Sequence, residues 1–276
     1  MPFMPHLLVA TDFSEVAENT VRYTCQLAGD LSASVVVMHS FVIPVTFSDT
    51  PMPIMPIDEG KEIAEERMSE LMTSLKSSYP TLEISSKVMF GDIVDCIEEH
   101  TEKDVPLMVL LGNSGSGDSN LWLGSNALSA LRSLHKTVVA VPEKVSYRKP
   151  EKVCFACDFK NVSDHFQSAK LVGLVQTLGA QLHVLNVDNQ NKNFTSETPM
   201  ETSELHLMLE GLNPVYHYVE KENVEEGIKE FIDENHMDWL VIVPHKHSFF
   251  EGLFHKSHTK AIMKMVNIPL VAIHEK

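Results

Sequence analysis

The chain has 276 residues, room for one large domain or for two of about 140, near the usual domain size. Hydrophobic residues make up 43% and charged residues 22%, the composition of a globular protein rather than a disordered one. Lys and Arg number 22 against 38 Asp and Glu, a net charge of −16. With no basic block, the phosphate neutralisation that drives nucleic-acid binding is missing, so nucleic acid is excluded as a partner. No apolar run approaches the roughly 20 residues that cross a bilayer. Residues 1–6 carry neither a cationic segment nor a small-residue cleavage site, and four cysteines make no secreted disulfide framework. The expectation is a cytoplasmic protein with no membrane partner.

In chain order, residues 6–11 are a short apolar run, the pattern of a buried parallel strand. Ser14 can cap a helix on which Ala17, Val21, Cys25 and Ala28 recur at helical spacing. Residues 34–40 read as a second strand. Residues 41–57 form a loop with four prolines, which cannot join a sheet. That loop could be a flap over a pocket, a docking surface, or a cover for the chain's own apolar surface. Ala64, Met68, Leu71 and Leu75 mark the second helix, and residues 84–89 the third strand. Ile93, Ile97 and His100 lie on the third helix, and 107–111 is the fourth strand. A glycine-rich loop follows, then a helix from about Ser125 and a fifth strand at 137–141.

The second half replays this order. Its strands are expected at 152–157, 181–187, 215–219, 239–243 and 269–273. Its helices are marked by Leu171, Val175 and Leu178, by Leu205, Met208 and Leu212, and by Val224, Ile228 and Phe231. Residues 109–144 and 241–276 align without a gap: Val109 matches Val241, Ser125 matches Ser257, and Ala140 matches Ala272. Ala10-Thr11-Asp12-Phe13 likewise faces Ala156-Cys157-Asp158-Phe159. The chain therefore reads as an internal duplication, with domains at 1–144 and 150–276 around a polar stretch with a proline at each end. Strands alternating with helices call for parallel sheets covered on both faces, a doubly wound α/β class.

Cys154 and Cys157 make a C-x-x-C, but on a strand residues i and i+3 face opposite ways, so they read as core thiols rather than a redox pair. His245, His247, His255 and His258 surround the second half's loop. Without Cys or carboxylate at fixed spacing they read as surface or inter-half histidines rather than a metal site, and no metal ligand is assigned. No Ser-His-Asp order or G-x-S-x-G elbow is present, so no catalytic residue is named and the chain is not read as an enzyme.

Chemistry concentrates at Gly112, Asn113, Ser114 and Gly115, followed by Gly124, Ser125 and Asn126. The loop leaves the carboxyl end of a parallel strand, where open α/β sheets bind ligands. Glycines allow close backbone approach, and a helix opened by Gly124 and Ser125 would offer free N–H groups to an anion. No lysine lies in the loop, so this is not a Walker A site.

The whole pattern resembles the universal stress protein family, as two tandem domains. Nucleotide-binding members carry G-x2-G-x9-G-[S/T] after the fourth strand and an Asp after the first. This chain has G-x2-G-x8-G-S from Gly112 to Ser125, one spacer residue short, and Thr11-Asp12 after its first strand. The resemblance implies two tandem five-stranded parallel sheets of the adenine nucleotide α-hydrolase-like, Rossmann-like type. They would pack as an internal pseudo-dimer through the fifth strands, with a homodimer as a further option. It implies adenine contacts from Thr11, Asp12 and Ser40, and ribose and phosphate contacts from Gly112, Ser114, Gly115, Gly124, Ser125 and Asn126. The implied ligand is ATP, with any Mg²⁺ arriving on its phosphates. The second half carries Pro244, His247 and Lys256 where the first has Gly112, Gly115 and Gly124, which implies no nucleotide there. The function implied is an ATP-binding stress regulator. The alternatives are an interaction module that binds no nucleotide and a nucleotide-dependent enzyme of a related fold.

Overall fold

The computed structural model describes residues 5–43, 56–114, 122–157, 168–188, 198–243 and 262–274. The first half runs β1 (His6–Ala10), α1 (Glu15–Leu31), β2 (Ser34–Phe41), α2 (Ile57–Ser78), β3 (Ile84–Phe90), α3 (Ile93–Lys103), β4 (Met108–Asn113), α4 (Trp122–Ser133) and β5 (Thr137–Pro142). The second runs β6 (Lys152–Ala156), α5 (Ser168–Leu178), β7 (Gln181–Asp188), α6 (Thr198–Leu209), a 3₁₀ turn at Glu210–Leu212, β8 (Val215–Glu220), α7 (Val224–Asn235), β9 (Trp239–Ile242) and β10 (Leu270–Ile273).

All ten strands form one sheet, in the order β3-β2-β1-β4-β5-β10-β9-β6-β7-β8. Within each half the pairs are parallel; the halves meet where β5 and β10 pair antiparallel, with Val139 opposite Val271 and Ala140 opposite Leu270. The expected fifth-strand pairing thus closes what would be two exposed sheet edges and fuses the two five-stranded sheets into one. Because strand side chains alternate, each face is a continuous apolar layer. One face carries Leu7, Val9, Leu110, Val139, Phe155, Val241 and Val271. The other carries Leu8, Ala10, Val109, Leu111, Ala140, Leu240 and Ala272. Cys154 lies in the second layer and Cys157 in the first, so the C-x-x-C thiols point apart as a strand requires, and no disulfide joins them.

The stretch between the halves is not a loose tether. Asn19 of α1 donates to the Val145 carbonyl at 3.0 Å, and the Tyr147 hydroxyl donates to Asp30 at 2.5 Å. Tyr147 also sits edge-on to Tyr23, and burial, aided by Asp30, pushes its hydroxyl pKa upward. Arg148 pairs with Asp238, whose other oxygen accepts from the Glu151 and Lys152 amides. Polarity along the sequence suggested a linker; these bonds make the segment a strap running over α1 and into the second half. Deeper in, Trp239 Nε1 donates to the Tyr23 hydroxyl at 2.8 Å, and His274 Nε2 donates to the Leu131 carbonyl at 2.7 Å.

No helix among the described residues is long and apolar enough to cross a membrane. The proline-rich loop lies mostly outside the described residues, although its ends are placed: Phe41 closes β2 against Phe90, and Ile57 opens α2.

Candidate nucleotide site

The carboxyl ends of β2, β1 and β4 lie side by side, because β1 pairs with β2 on one flank and β4 on the other. This brings together Ser40, Thr11, Asp12, Gly112 and Ser114, residues far apart in the sequence. β1 ends in a tight turn. Thr11 Oγ1 accepts from the Phe13 amide at 3.0 Å, and Asp12 Oδ1 accepts from the Ser14 amide at 2.9 Å. Ser14 then caps α1 by accepting from the Ala17 amide at 3.2 Å, as its sequence position suggested.

Phe13 adopts a left-handed backbone (φ 64°), unusual for a bulky residue. Its ring packs on His39 at 4.5 Å and lies under the Arg67 guanidinium at 4.7 Å. His39 Nδ1–H donates to the Thr11 carbonyl at 2.8 Å, and burial holds its pKa below the ordinary histidine range. Side chains from β2 and α2 therefore fix the turn that presents Asp12. A groove of about 420 Å³ runs from Phe13 between α1 and α2, lined by Arg22, Arg67, Glu70 and Tyr79 among others. It lies along the helices rather than over the strand ends, and only Phe13 belongs to both.

Gly112 has a different place from the one its motif suggested. β4 continues through Asn113, so Gly112 is a buried strand residue opposite Val141 and the loop begins at Ser114. A Cβ on Gly112 would stand 2.8 Å from Val16 Cγ1 and 3.0 Å from Thr20 Oγ1 of α1. The glycine is required because α1 crosses β4 closely. Gly112→Ala is expected to lower stability by about 1–3 kcal/mol, the usual cost of overpacking a filled core. Urea unfolding checks this, and an unchanged midpoint would show that α1 can move away freely.

α4 begins at Trp122, so Gly124 and Ser125 lie inside its first turn instead of opening it. The N–H groups without a partner within the helix, the ones that attract anions, therefore run to Gly124 and stop short of Ser125. Asn126 follows in the same helix, half-buried. Gly115 lies outside the described residues, as do Asp158 and the second half's Pro244, His245, His247, His255, Lys256, Ser257 and His258.

Two hydroxyls at the strand ends stand out. Ser40 is 4% and Ser114 7% exposed, and neither Oγ has a hydrogen-bond partner among the described residues. Leaving a buried polar group unpaired costs about 1–3 kcal/mol, so such atoms point to something else that binds there. In the second half Val187 takes the place of Ser40. Asn186 takes the place of His39, and its amide donates to the Cys157 carbonyl at 3.0 Å as His39 does to the Thr11 carbonyl.

Known proteins agree with this architecture. The sequence pattern of the universal stress protein family matches residues 4–142 and again 151–274. Universal stress protein Slr1230 of Synechocystis is 22% identical over 291 aligned positions, covering 97% of this chain and 99% of the relative. A crystal structure of a universal stress protein from Archaeoglobus fulgidus superposes with a TM-score of 0.72 at 16% identity, covering 98% of both chains. A protein of unknown function from Pseudomonas aeruginosa, PA1789, superposes at 0.62 with 12% identity, covering 99% of this chain and 93% of that one. The fold is shared along the full length, and this chain belongs to the universal stress protein family as a tandem member with two copies of the family unit.

Proposed function

We propose that the protein is a stress-response regulator that binds an adenine nucleotide, ATP foremost, at the strand ends of its first half. The observation that carries this reading is the pair of buried hydroxyls of Ser40 and Ser114, which have no hydrogen-bond partner among the described residues. They flank Asp12 at the carboxyl ends of β2 and β4, where a parallel sheet binds its ligands. The Asp12 oxygen that does not hold Ser14 is suited to accept from a nucleotide hydroxyl or amine. The first turn of α4 would face the phosphates, and any Mg²⁺ would be held by those phosphates and water. The work would be done in the cytoplasm, where ATP is abundant.

Asp12→Ala separates this reading from a purely structural one. The variant loses one turn hydrogen bond, worth about 1 kcal/mol of stability. ATP affinity measured by calorimetry should fall at least about tenfold, a loss of roughly 1.4 kcal/mol. Equal ATP binding by the wild type and Asp12→Ala would remove Asp12 from the site.

A second reading, an interaction module without nucleotide, has one specific observation behind it. Gly112 is accounted for by the approach of α1, so part of the glycine pattern serves packing rather than phosphate. Absence of ATP binding in the wild type would favour that module. Steady turnover of ATP alone would favour an enzyme instead.

A further inference from the structure

At the opposite end of β1 from Asp12, three side chains that the sequence keeps apart come together. His6 opens β1, His100 lies in the last turn of α3, and Asp104 is the residue that ends that helix. One ligand atom from each lies within 4.8 Å of the other two, the only such group among the described residues. We propose that His6, His100 and Asp104 form a binding site for a divalent transition-metal ion, Zn²⁺ foremost.

Three observations point there. First, His6 Nδ1 and Asp104 Oδ1 are 3.6 Å apart, too far for a good hydrogen bond. Two ligands of one tetrahedral zinc ion, each about 2.1 Å from the metal, lie about 3.4 Å apart. Second, the His6 side chain is 6% exposed, and the buried Nε2 of His100 has no hydrogen-bond partner among the described residues. Leaving a buried imidazole nitrogen unpaired is unfavourable unless a further group binds. Third, the cluster sits at the carboxyl end of α3, where the helix dipole favours a cation.

The duplication supplies an internal comparison. β6 opens with Lys152 where β1 opens with His6, and the Lys152 ammonium donates to the Asn235 carbonyl at the end of α7. Lys136 likewise donates to the Thr101 carbonyl near the end of α3 at 3.3 Å, so what separates the halves is the histidine at the start of β1.

Three protein ligands leave a tetrahedral ion with a position for water, and Asp104 is 48% exposed, so the ion would exchange with solvent. Two imidazoles and one carboxylate suit Zn²⁺, Ni²⁺ or Cu²⁺ and not Mg²⁺, which demands oxygen ligands. The site would thus be independent of any magnesium carried by a nucleotide.

The test is calorimetric titration of the full chain with Zn²⁺ in the absence of nucleotide. One ion per chain is expected, undisturbed by millimolar Mg²⁺, together with a higher unfolding temperature. His100→Gln and Asp104→Asn change partly exposed side chains and should fold. Each should weaken Zn²⁺ binding at least about tenfold, because altering even outer-shell partners costs that much. The double variant His255→Gln/His258→Gln should bind as the wild type does. The proposal is overturned if no saturable binding occurs up to about 0.1 mM Zn²⁺, a range far above the affinities of structural zinc sites. It is also overturned if the His100 and Asp104 variants bind like the wild type, or if binding disappears with His255 and His258.

Discussion

Replacing Trp239 with alanine is expected to destabilise the protein by about 3–5 kcal/mol, the usual range for deleting a large aromatic from a core. Trp239 opens β9 in the second half and is 1% exposed within the apolar layer shared by both halves. Its indole N–H donates to the hydroxyl of Tyr23, which lies on α1 of the first half and is itself buried. The substitution therefore opens a cavity and leaves a buried hydroxyl unpaired. The second effect can be isolated. Trp239→Phe keeps most of the volume and should still cost about 1–3 kcal/mol for the orphaned Tyr23 oxygen. Adding Tyr23→Phe removes both polar partners, so the double variant should be less destabilised than the sum of the two single ones. Urea unfolding of the four proteins gives the cycle. Additive losses would mean that the indole–phenol bond does not couple the halves.

Acidification should destabilise the protein through His274. This residue follows β10 at the junction of the halves, is 6% exposed, and donates from Nε2 to the Leu131 carbonyl. Burial is the main cause that lowers its pKa, to about 4, with His135 and Lys170 adding in the same direction and the Leu131 bond opposing. The Lys170 ammonium is bound to the carbonyl of His274 itself at 2.6 Å, and the His135 ring lies 6.0 Å away. The unfolded chain takes up a proton near pH 6.5 and the folded chain only near pH 4. Between those values the unfolded state binds more protons, so stability falls as pH falls through this window. At about 1.36 kcal/mol per unit, the loss by pH 4 approaches roughly 3 kcal/mol. His39, His100, His183 and His217 are displaced in the same direction and should add to the slope. His274→Gln retains an amide donor but cannot be protonated, so its unfolding free energy between pH 7 and 4.5 should fall less than the wild type's. An equal fall in both would assign the acid sensitivity elsewhere.

Much of the architecture could be read in the sequence because its signals are local. Apolar runs at 6–11 and 107–111 overlap β1 and β4, whose residues are buried throughout, and Ser14 at the start of a periodic apolar face does cap α1. The pairing of β5 with β10 was legible only through the family resemblance. The features that sequence reading missed depend on contacts between distant residues. Gly112 is a glycine because Val16 and Thr20 approach it, and a glycine-rich pattern does not reveal which neighbour needs the space. The start of α4 was placed too late because Gly124, a weak helix former, stands within its first turn. Asn19, Tyr147 and Asp238 turn an apparently polar linker into a strap, through bonds between residues about a hundred positions apart. His6, His100 and Asp104 carry no motif spacing, because strand order alone brings the start of β1 beside the end of α3. A histidine opening an apolar strand was the available signal.

The two halves share strands and helices but differ where function is proposed. The first has at Ser40 a buried hydroxyl without a partner among the described residues, where the second has the apolar Val187. The central claim is therefore one nucleotide site per chain, in the first half. Native mass spectrometry of the full chain with increasing ATP measures that number directly. Saturation at one ATP per chain, weakened by Asp12→Ala, is the expected result. Two ATP per chain, or none, would contradict it.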